Sequence, residues 1–205
     1  MSEATTAQRL FVTSRRPGWL VDGAIAADNT DAPALIEALP VSVAGASALV
    51  LGAGGSARAA VWALNDAGAA SVSVWNRTPE RARRLCEELG GTPVAGTIPA
   101  DVLVNCTAVG LDRAGSLHGL PLAPAELVNF GCVVDLVYTG AGTALIDAAR
   151  ELGVPAVDGL ELLVGQGALS FERFTGAPAP LETMRTAAHA GRPSARSTGG
   201  YGAGR

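Results

Sequence analysis

A glycine-rich turn between an apolar run and a helical segment constrains this chain most. Ser47–Leu51 is a short β-rich run that stops at a glycine, and residues 56–67 have a helical pattern. The turn between them reads Gly52-Ala53-Gly54-Gly55-Ser56-Ala57, which fits the GxGxxG/A pattern in its strand–turn–helix context. The first glycine permits a tight turn, the second lets the backbone approach a pyrophosphate, and the small Ala57 allows close helix–strand packing.

This turn predicts a dinucleotide-binding site, because a helix N-terminus offers free N–H groups and a partial positive charge to phosphates. The simpler alternative is a glycine-rich strand–helix turn that binds nothing. The residues after the next strand bear on this choice and on the type of dinucleotide.

The second predicted strand ends at Trp75 and continues as Asn76-Arg77-Thr78-Pro79-Glu80-Arg81. An NAD-binding unit commonly places Asp or Glu here, about 20 residues after the glycines, to hold the ribose 2′-hydroxyl. Two arginines take the place of that acid, and a 2′-phosphate is their natural partner. We therefore expect NADP rather than NAD, with solvated helix-start arginines as the alternative.

Short apolar runs alternate with helical stretches from residue 44 onward. Strands buried on both faces of a parallel sheet lose the alternating polar pattern, which these runs also lack. We therefore predict an α/β fold, a Rossmann-like doubly wound parallel sheet. The predicted strands are 47–51, 71–75, 101–106, 132–136 and 154–157, and the predicted helices are 56–67, 79–89, 144–152, 161–174 and 180–188.

Several segments in order resemble shikimate dehydrogenase, the NADP-dependent family of aromatic amino-acid biosynthesis. The glycine-rich turn resembles its cofactor loop, and residues 76–81 resemble its 2′-phosphate clamp. Leu162 and Phe174 stand where the family usually has Met and Trp. The other matching segments are Asp28-Asn29-Thr30-Asp31, residues 105–110, residues 135–143 with Asp135, Tyr138 and Thr143, residues 158–166, and residues 171–176.

The resemblance implies a cytoplasmic enzyme that reversibly reduces 3-dehydroshikimate to shikimate with NADPH. It implies that Asp31 is catalytic and contacts the substrate, and that Tyr138 and Gln166 also contact the substrate. Simpler roles stay open: a helix cap for Asp31, a strand-end aromatic for Tyr138 and a solvated helix residue for Gln166. The implied cofactor residues are Gly52, Ala53, Gly54, Gly55, Ser56, Asn76, Arg77, Thr78, Arg81, Thr107, Leu136 and Gly159.

Two family segments have no counterpart in this sequence. They are the early Ser-x-Ser that binds the substrate carboxylate and the N-V-T-x-P-x-K segment with the catalytic lysine. No lysine occurs among the 205 residues, so all 15 basic residues are arginines. Arginine stays protonated and cannot replace a base, whose help typically contributes about 10²–10⁴-fold in rate. We expect NADP binding with impaired turnover from this polypeptide alone.

The domain organisation follows from the same resemblance. We expect a remnant of the substrate-binding domain at residues 1–40, with a hairpin around Asp22-Gly23, and the NADP-binding domain at 41–160. Helices within 161–187 should pack toward the remnant, and 188–205 should be a disordered tail. An uncovered sheet edge or apolar face on the remnant favours a homodimer or a complementing partner chain.

Composition excludes several other classes of protein. The net charge of −4 disfavours binding to nucleic acid or an anionic membrane, and every long apolar run is interrupted by polar residues or glycine. The three cysteines form no CxxC or Cys/His cluster, which argues against a metal site and for a reduced compartment. Two alternatives remain: a non-catalytic NADP-binding module or half of a split enzyme, and a quinate/shikimate dehydrogenase.

Overall fold

The computed structural model describes residues 18–21, 24–27, 29–111, 117–139 and 142–190. The predicted Asp22-Gly23 turn, Asp28 and residues 191–205 of the predicted tail lie outside these ranges. The strands are β1 (Gly18–Val21), β2 (Ala24–Ala27), β3 (Ser47–Leu51), β4 (Ser71–Trp75), β5 (Thr92–Val94), β6 (Ala100–Asn105), β7 (Phe130–Asp135) and β8 (Ala156–Val157). The helices are α1 (Asp31–Ala38), α2 (Gly55–Asp66), α3 (Pro79–Leu89), α4 (Ala144–Glu151), α5 (Gly159–Thr175) and α6 (Leu181–Ala190), with a 3₁₀ helix at Pro124–Asn129.

Within the described residues, six strands form one parallel sheet in the order β5-β4-β3-β6-β7-β8. This confirms the predicted Rossmann-like doubly wound fold. The chain moves outward from β3 through β4 to β5, and then returns to β6 on the other side of β3. Such a reversal opens a crevice at the carboxyl ends of the two central strands, where ligands bind in sheets of this kind.

The strand residues alternate between two apolar layers, one on each face of the sheet. On β3, Val50 packs with residues of α2 and α3, whereas Leu49 and Leu51 pack with residues of α4 and the 3₁₀ helix. All three are fully buried. Because both faces are covered, the strands read as continuous apolar runs in the sequence.

The hairpin of β1 and β2 is antiparallel, with Val21 paired to Ala24, as the sequence predicts. The short strand β5 was not predicted. It contains Pro93, which cannot donate a ladder hydrogen bond, and it lies at the sheet edge where that loss is tolerated. A three-residue strand after two glycines carries too little pattern to be found from sequence.

Helix α1 begins at Asp31, the last residue of the matching segment Asp28-Asn29-Thr30-Asp31. The Asn29 Oδ1 accepts hydrogen bonds from the backbone N–H groups of Asp31 (2.9 Å) and Ala32 (3.1 Å). Asn29 therefore satisfies the helix start, and the alternative role of Asp31 as the cap is wrong. The Asp31 side chain is left for another role.

Helix α5 packs antiparallel against α1. The hydroxyls of Thr30 and Ser170 share a hydrogen bond of 3.2 Å, while a methyl group at Gly165 would lie 3.4 Å from the Ala34 Cβ. Residue numbers therefore increase in opposite directions along the two helices. This contact connects α1 to the middle and later turns of α5.

Helix α6 is joined to α5 by ionic contacts. Glu161 accepts a hydrogen bond from the Arg185 Nε at 3.0 Å, and the His189 Nε2 lies 3.1 Å from its other oxygen. Because Glu161 lies far from His189 along the chain, sequence spacing does not indicate this pair. The helix also continues to Ala190, beyond the predicted end at residue 188.

Two glycines of α5 should respond differently to the same substitution. A Cβ at Gly159 would lie 2.6 Å from the Val137 carbonyl oxygen, so backbone must move in Gly159→Ala. We expect it to lose about 1–3 kcal/mol of unfolding free energy. Gly165→Ala meets only an ordinary contact and gains helix propensity, so its change should stay below about 1 kcal/mol. Urea unfolding measures both, and equal losses would contradict the close contact at Gly159.

Candidate functional site

The predicted phosphate turn lies at the crevice between β3 and β6. Gly52 has a φ of +112°, and a Cβ there would lie 3.0 Å from the Cys106 carbonyl oxygen and 3.3 Å from the Thr107 nitrogen. Both the left-handed backbone and the close approach require glycine. The turn is therefore pressed against the end of the neighbouring strand.

The next residues of the turn leave an open surface. Gly54 is exposed, and a Cβ there would meet no atom within 4 Å. Gly54 is also the N-cap of α2 and gives it no side-chain cap, so the first N–H groups of the helix have no such acceptor. Ala53 and Gly55 are partly exposed and Ser56 is exposed beside them. This arrangement fits an anionic group such as a pyrophosphate.

Two arginines stand at the end of β4 and the start of α3. Arg77 and Arg81 are exposed, and neither forms an ion pair within the described part of the chain. In contrast, Arg83 lies 3.1 Å from Glu80, and Arg58, which follows the turn, lies 2.5 Å from Glu88. Arg77 and Arg81 are thus available to an anion outside the protein.

Asn76 and Thr78 shape the loop that carries these arginines. The Asn76 Nδ2 donates to the Thr78 carbonyl oxygen at 2.8 Å. Thr78 is the N-cap residue of α3, with Pro79 following, but its hydroxyl forms no capping hydrogen bond. The Thr78 side chain is exposed. The loop is therefore fixed partly by Asn76 itself.

The carboxyl ends of β6 and β7 are joined by buried polar side chains. Asn105 and Asp135 are paired in register and fully buried, and the Asn105 Nδ2 donates to the Asp135 Oδ1 at 2.8 Å. Asp135 also accepts hydrogen bonds from the Val137 N–H at 3.0 Å and the Thr143 hydroxyl at 2.6 Å. Burial raises the pKa of Asp135, while these three donors act in the opposite direction.

Thr107 belongs to the same network. Its N–H and hydroxyl donate to the Asn105 Oδ1 at 3.1 and 2.8 Å, and its hydroxyl accepts from the Val109 N–H at 3.1 Å. The side chain of this predicted cofactor residue is thus engaged within the protein. Both segments were predicted to matter from the sequence, but their contact was not, although a polar residue at the end of each buried strand was a signal of it.

Leu136 and Gly159 meet where α5 begins. A Cβ at Gly159 would lie 2.9 Å from the Leu136 carbonyl oxygen, and the Leu136 N–H donates to the Asn105 carbonyl at 3.0 Å. Backbone contact alone therefore requires glycine at this position. The pair lies at the same end of the sheet as Gly52, but a cofactor contact for either residue stays a prediction.

Asp31 is partly buried in the first turn of α1. Its carboxylate has no hydrogen bond or ion pair with the described residues, and burial raises its pKa. The shift is upward even though a helix start favours an anion. A carboxylate held in this way is suited to accept a proton or a hydrogen bond from a ligand.

Gln166 lies on α5, one turn before Ser170, whose hydroxyl contacts that of Thr30 at the start of α1. Tyr138 follows the segment that touches Gly159, and its side chain is 55% exposed. A substrate role for Asp31, Gln166 and Tyr138 stays a prediction.

The described residues include no cluster of His, Cys, Asp or Glu able to hold a metal ion. Among those same residues, no helix is long and apolar enough to cross a membrane.

Two family models match this chain. The model described as Shikimate / quinate 5-dehydrogenase matches residues 35–107, and the model described as Shikimate 5'-dehydrogenase C-terminal domain matches residues 159–189. Together they cover about half of the chain. The first includes the phosphate turn and Arg77, and the second includes Gln166.

Two curated relatives are both shikimate dehydrogenases (NADP(+)). A shikimate dehydrogenase (NADP(+)) of Thermus thermophilus is 46% identical over 76% of this chain and 59% of its own length. That of Methanothermobacter thermautotrophicus is 38% identical over 81% of this chain and 63% of its own. The chain thus spans about three fifths of the length of these curated relatives.

Solved structures have the same fold. A shikimate 5-dehydrogenase of Thermus thermophilus, in complex with NADP(H) and shikimate, aligns with a TM-score of 0.73 at 39% identity. The alignment covers 84% of this chain and 66% of that one. Ligand-free 5-ketofructose reductase of a Gluconobacter species aligns with a TM-score of 0.73 at 27% identity, over 84% of this chain and 67% of its own.

We expect Asp31→Asn to make the protein more stable at neutral pH. A raised pKa means that folding penalises the ionised carboxylate, and this penalty appears as pH rises above the unfolded value near 4. The gain in unfolding free energy should therefore be present at pH 7 and disappear at low pH. Denaturant unfolding across this pH range measures it.

Glu37→Gln is the matched control, because Glu37 is exposed on the same helix and carries the same charge. It should not reproduce the gain. A loss of stability in Asp31→Asn at pH 7 would mean that the carboxylate has a stabilising partner.

Proposed function

The chain belongs to the shikimate dehydrogenase family, and on this premise we propose that it serves the reversible, NADPH-dependent reduction of 3-dehydroshikimate to shikimate. The observation that carries the proposal is the crevice itself. The open phosphate turn lies at this crevice, and Arg77 and Arg81 follow the neighbouring strand β4 without an acidic partner among the described residues. The Asp31 carboxylate at the start of α1 has no partner among those residues either. The free cysteines, none in a disulfide, support a cytoplasmic setting.

The residues present fit NADP. The N–H groups at the start of α2 would hold the pyrophosphate over Gly54, where a side chain would otherwise stand in the open space. Arg77 and Arg81 would hold the 2′-phosphate, because both are exposed and lack acidic partners among the described residues. When bound, the cofactor supplies the nicotinamide that gives or takes a hydride.

Asp31, Gln166 and Tyr138 would meet the substrate. Neither the Gln166 nor the Tyr138 side chain has a hydrogen-bond partner among the described residues, so their polar ends are available to a polyhydroxylated ring. Asp31 would accept a hydrogen bond from the reacting hydroxyl and take its proton as the alcohol becomes a ketone. Its raised pKa makes it a better proton acceptor than an ordinary aspartate.

We further propose that this polypeptide alone turns over slowly. Its sequence contains no lysine, the second catalytic residue that the family resemblance implies. A carboxylate alone lacks the help of that base, which is typically worth about 10²–10⁴-fold in rate. A homodimer, or a complementing chain that carries the lysine segment, would be the natural partner at the apolar side of α5, where Phe171 and Phe174 are exposed.

Calorimetric titration of the purified chain with NADP and then shikimate tests the proposal. We expect NADP to bind and NAD to bind more weakly. We also expect weak shikimate binding and slow NADPH formation, which a chain carrying the lysine segment should accelerate. Absence of NADP binding would overturn the proposed function, and rapid turnover without a partner would overturn the role of the missing lysine.

Arg81→Gln should weaken NADP binding about tenfold or more and leave NAD binding unchanged. The reason is the loss of one charge-assisted hydrogen bond, worth about 1.5–3 kcal/mol. Arg83→Gln removes the same charge from the same helix, but Arg83 is already paired with Glu80. Equal loss of NADP affinity in both variants would point to long-range charge instead of contact.

A further inference from the structure

The buried polar cluster at the ends of β6 and β7 has no role in the site as proposed. It consists of Asn105, Asp135 and Thr143, whose exposures are 0%, 0% and 4%. Fully buried carboxylates are costly unless donors satisfy them. The sequence nevertheless places one at the centre of the crevice wall, next to the segment that contacts Gly52.

The hydrogen-bond directions show that this cluster is not itself a binding site. All three contacts donate to Asp135, from Asn105, from the Val137 N–H and from the Thr143 hydroxyl. The Asn105 Oδ1 accepts hydrogen bonds from the N–H and the hydroxyl of Thr107. The polar atoms of the cluster are thus engaged from within the protein.

The cluster instead joins three separate pieces of backbone. Asn105 holds the segment 105–109 through Thr107, and Asp135 holds the segment after β7 through the Val137 N–H. Thr143 connects Asp135 to α4, because its hydroxyl also accepts from the Ile146 N–H at 3.4 Å. Moving one piece would therefore disturb the other two.

These pieces lie on one side of the chain reversal. A doubly wound sheet binds the two halves of a dinucleotide on its two mononucleotide-binding halves. On the proposed function, Arg77 and Arg81 would hold the adenosine half over the β3–β5 side. The nicotinamide half would then lie over the ends of β6 and β7, where the cluster is.

We propose that Asn105, Asp135 and Thr143 are positioning residues that hold the backbone of segments 107–109 and 136–138 to receive the nicotinamide half of the cofactor. The proposal rests on the proposed function. It assigns the cluster an effect on one half of the cofactor only, and this is where it differs from a general contribution to stability.

Thr143→Val tests this assignment, because it keeps the shape of the side chain and removes the hydroxyl that donates to Asp135. Thr143→Ser keeps the hydroxyl and is the matched control. Phe130→Leu is a second control, since Phe130 is buried at the opposite end of β7 and its substitution only loosens the core. Each purified variant is titrated with NADPH and, separately, with 2′,5′-ADP, which carries the adenosine half and its 2′-phosphate.

We expect Thr143→Val to weaken NADPH binding roughly three- to tenfold, the effect typical for the net loss of one ordinary hydrogen bond. Its affinity for 2′,5′-ADP should stay at the wild-type value. Thr143→Ser should bind both ligands normally, and Phe130→Leu should show no selective loss. If Thr143→Val does not fold, Asn105→Ala removes a donor to Asp135 while keeping the α4 cap, and the same selective loss is expected.

Three results would overturn the proposal: wild-type NADPH affinity in the folded variant, a parallel loss for 2′,5′-ADP, or the same selective loss in Phe130→Leu. Failure of the proposed function has a different signature. In that case the unmodified chain binds neither NADPH nor 2′,5′-ADP, and the positioning role falls with it.

Discussion

The contact between the phosphate turn and the end of β6 is the constraint on which the rest of the site depends. A Cβ at Gly52 would stand 3.0 Å from the Cys106 carbonyl, so no other residue lets the turn lie there. The same place is where the sheet order reverses, between β3 and β6. Backbone packing and chain topology thus form one crevice, with the start of α2 open on one side and the Asn105–Asp135 pair beneath the other.

Asp31, which is partly buried, and Asp135, which is fully buried, show how two carboxylates in one fold differ in their surroundings. Burial raises the pKa of both. Asp135 receives three donors and is closed to ligands, whereas Asp31 receives none from the described residues. The first geometry stabilises a wall, and the second leaves a costly group unsatisfied until something binds. The number of internal donors, more than burial, separates a structural carboxylate from one available for chemistry.

Local pattern was sufficient to predict the parallel sheet and the helix that starts at Pro79, because continuous apolar runs and a glycine-rich turn depend on neighbours in sequence. It failed for β5, whose three residues carry almost no pattern, and for the start of α1, where Asn29 satisfies the helix in place of Asp31. It also failed for Asn105 with Asp135 and for His189 with Glu161. These pairs meet only after the chain has folded, so no spacing rule indicates them.

The arginines of α3 show how the same residue type is divided between structure and binding. Arg83 forms an ion pair with Glu80 on its own helix. Arg58 of α2 forms an ion pair with Glu88 of α3 and so links the two helices. Arg77 and Arg81 lack such partners in the described structure. A phosphate competes poorly for an arginine that already has a carboxylate 3.1 Å away, as Arg83 does. If Arg77 and Arg81 hold the 2′-phosphate as proposed, specificity depends on where glutamates are absent as much as on where arginines are present.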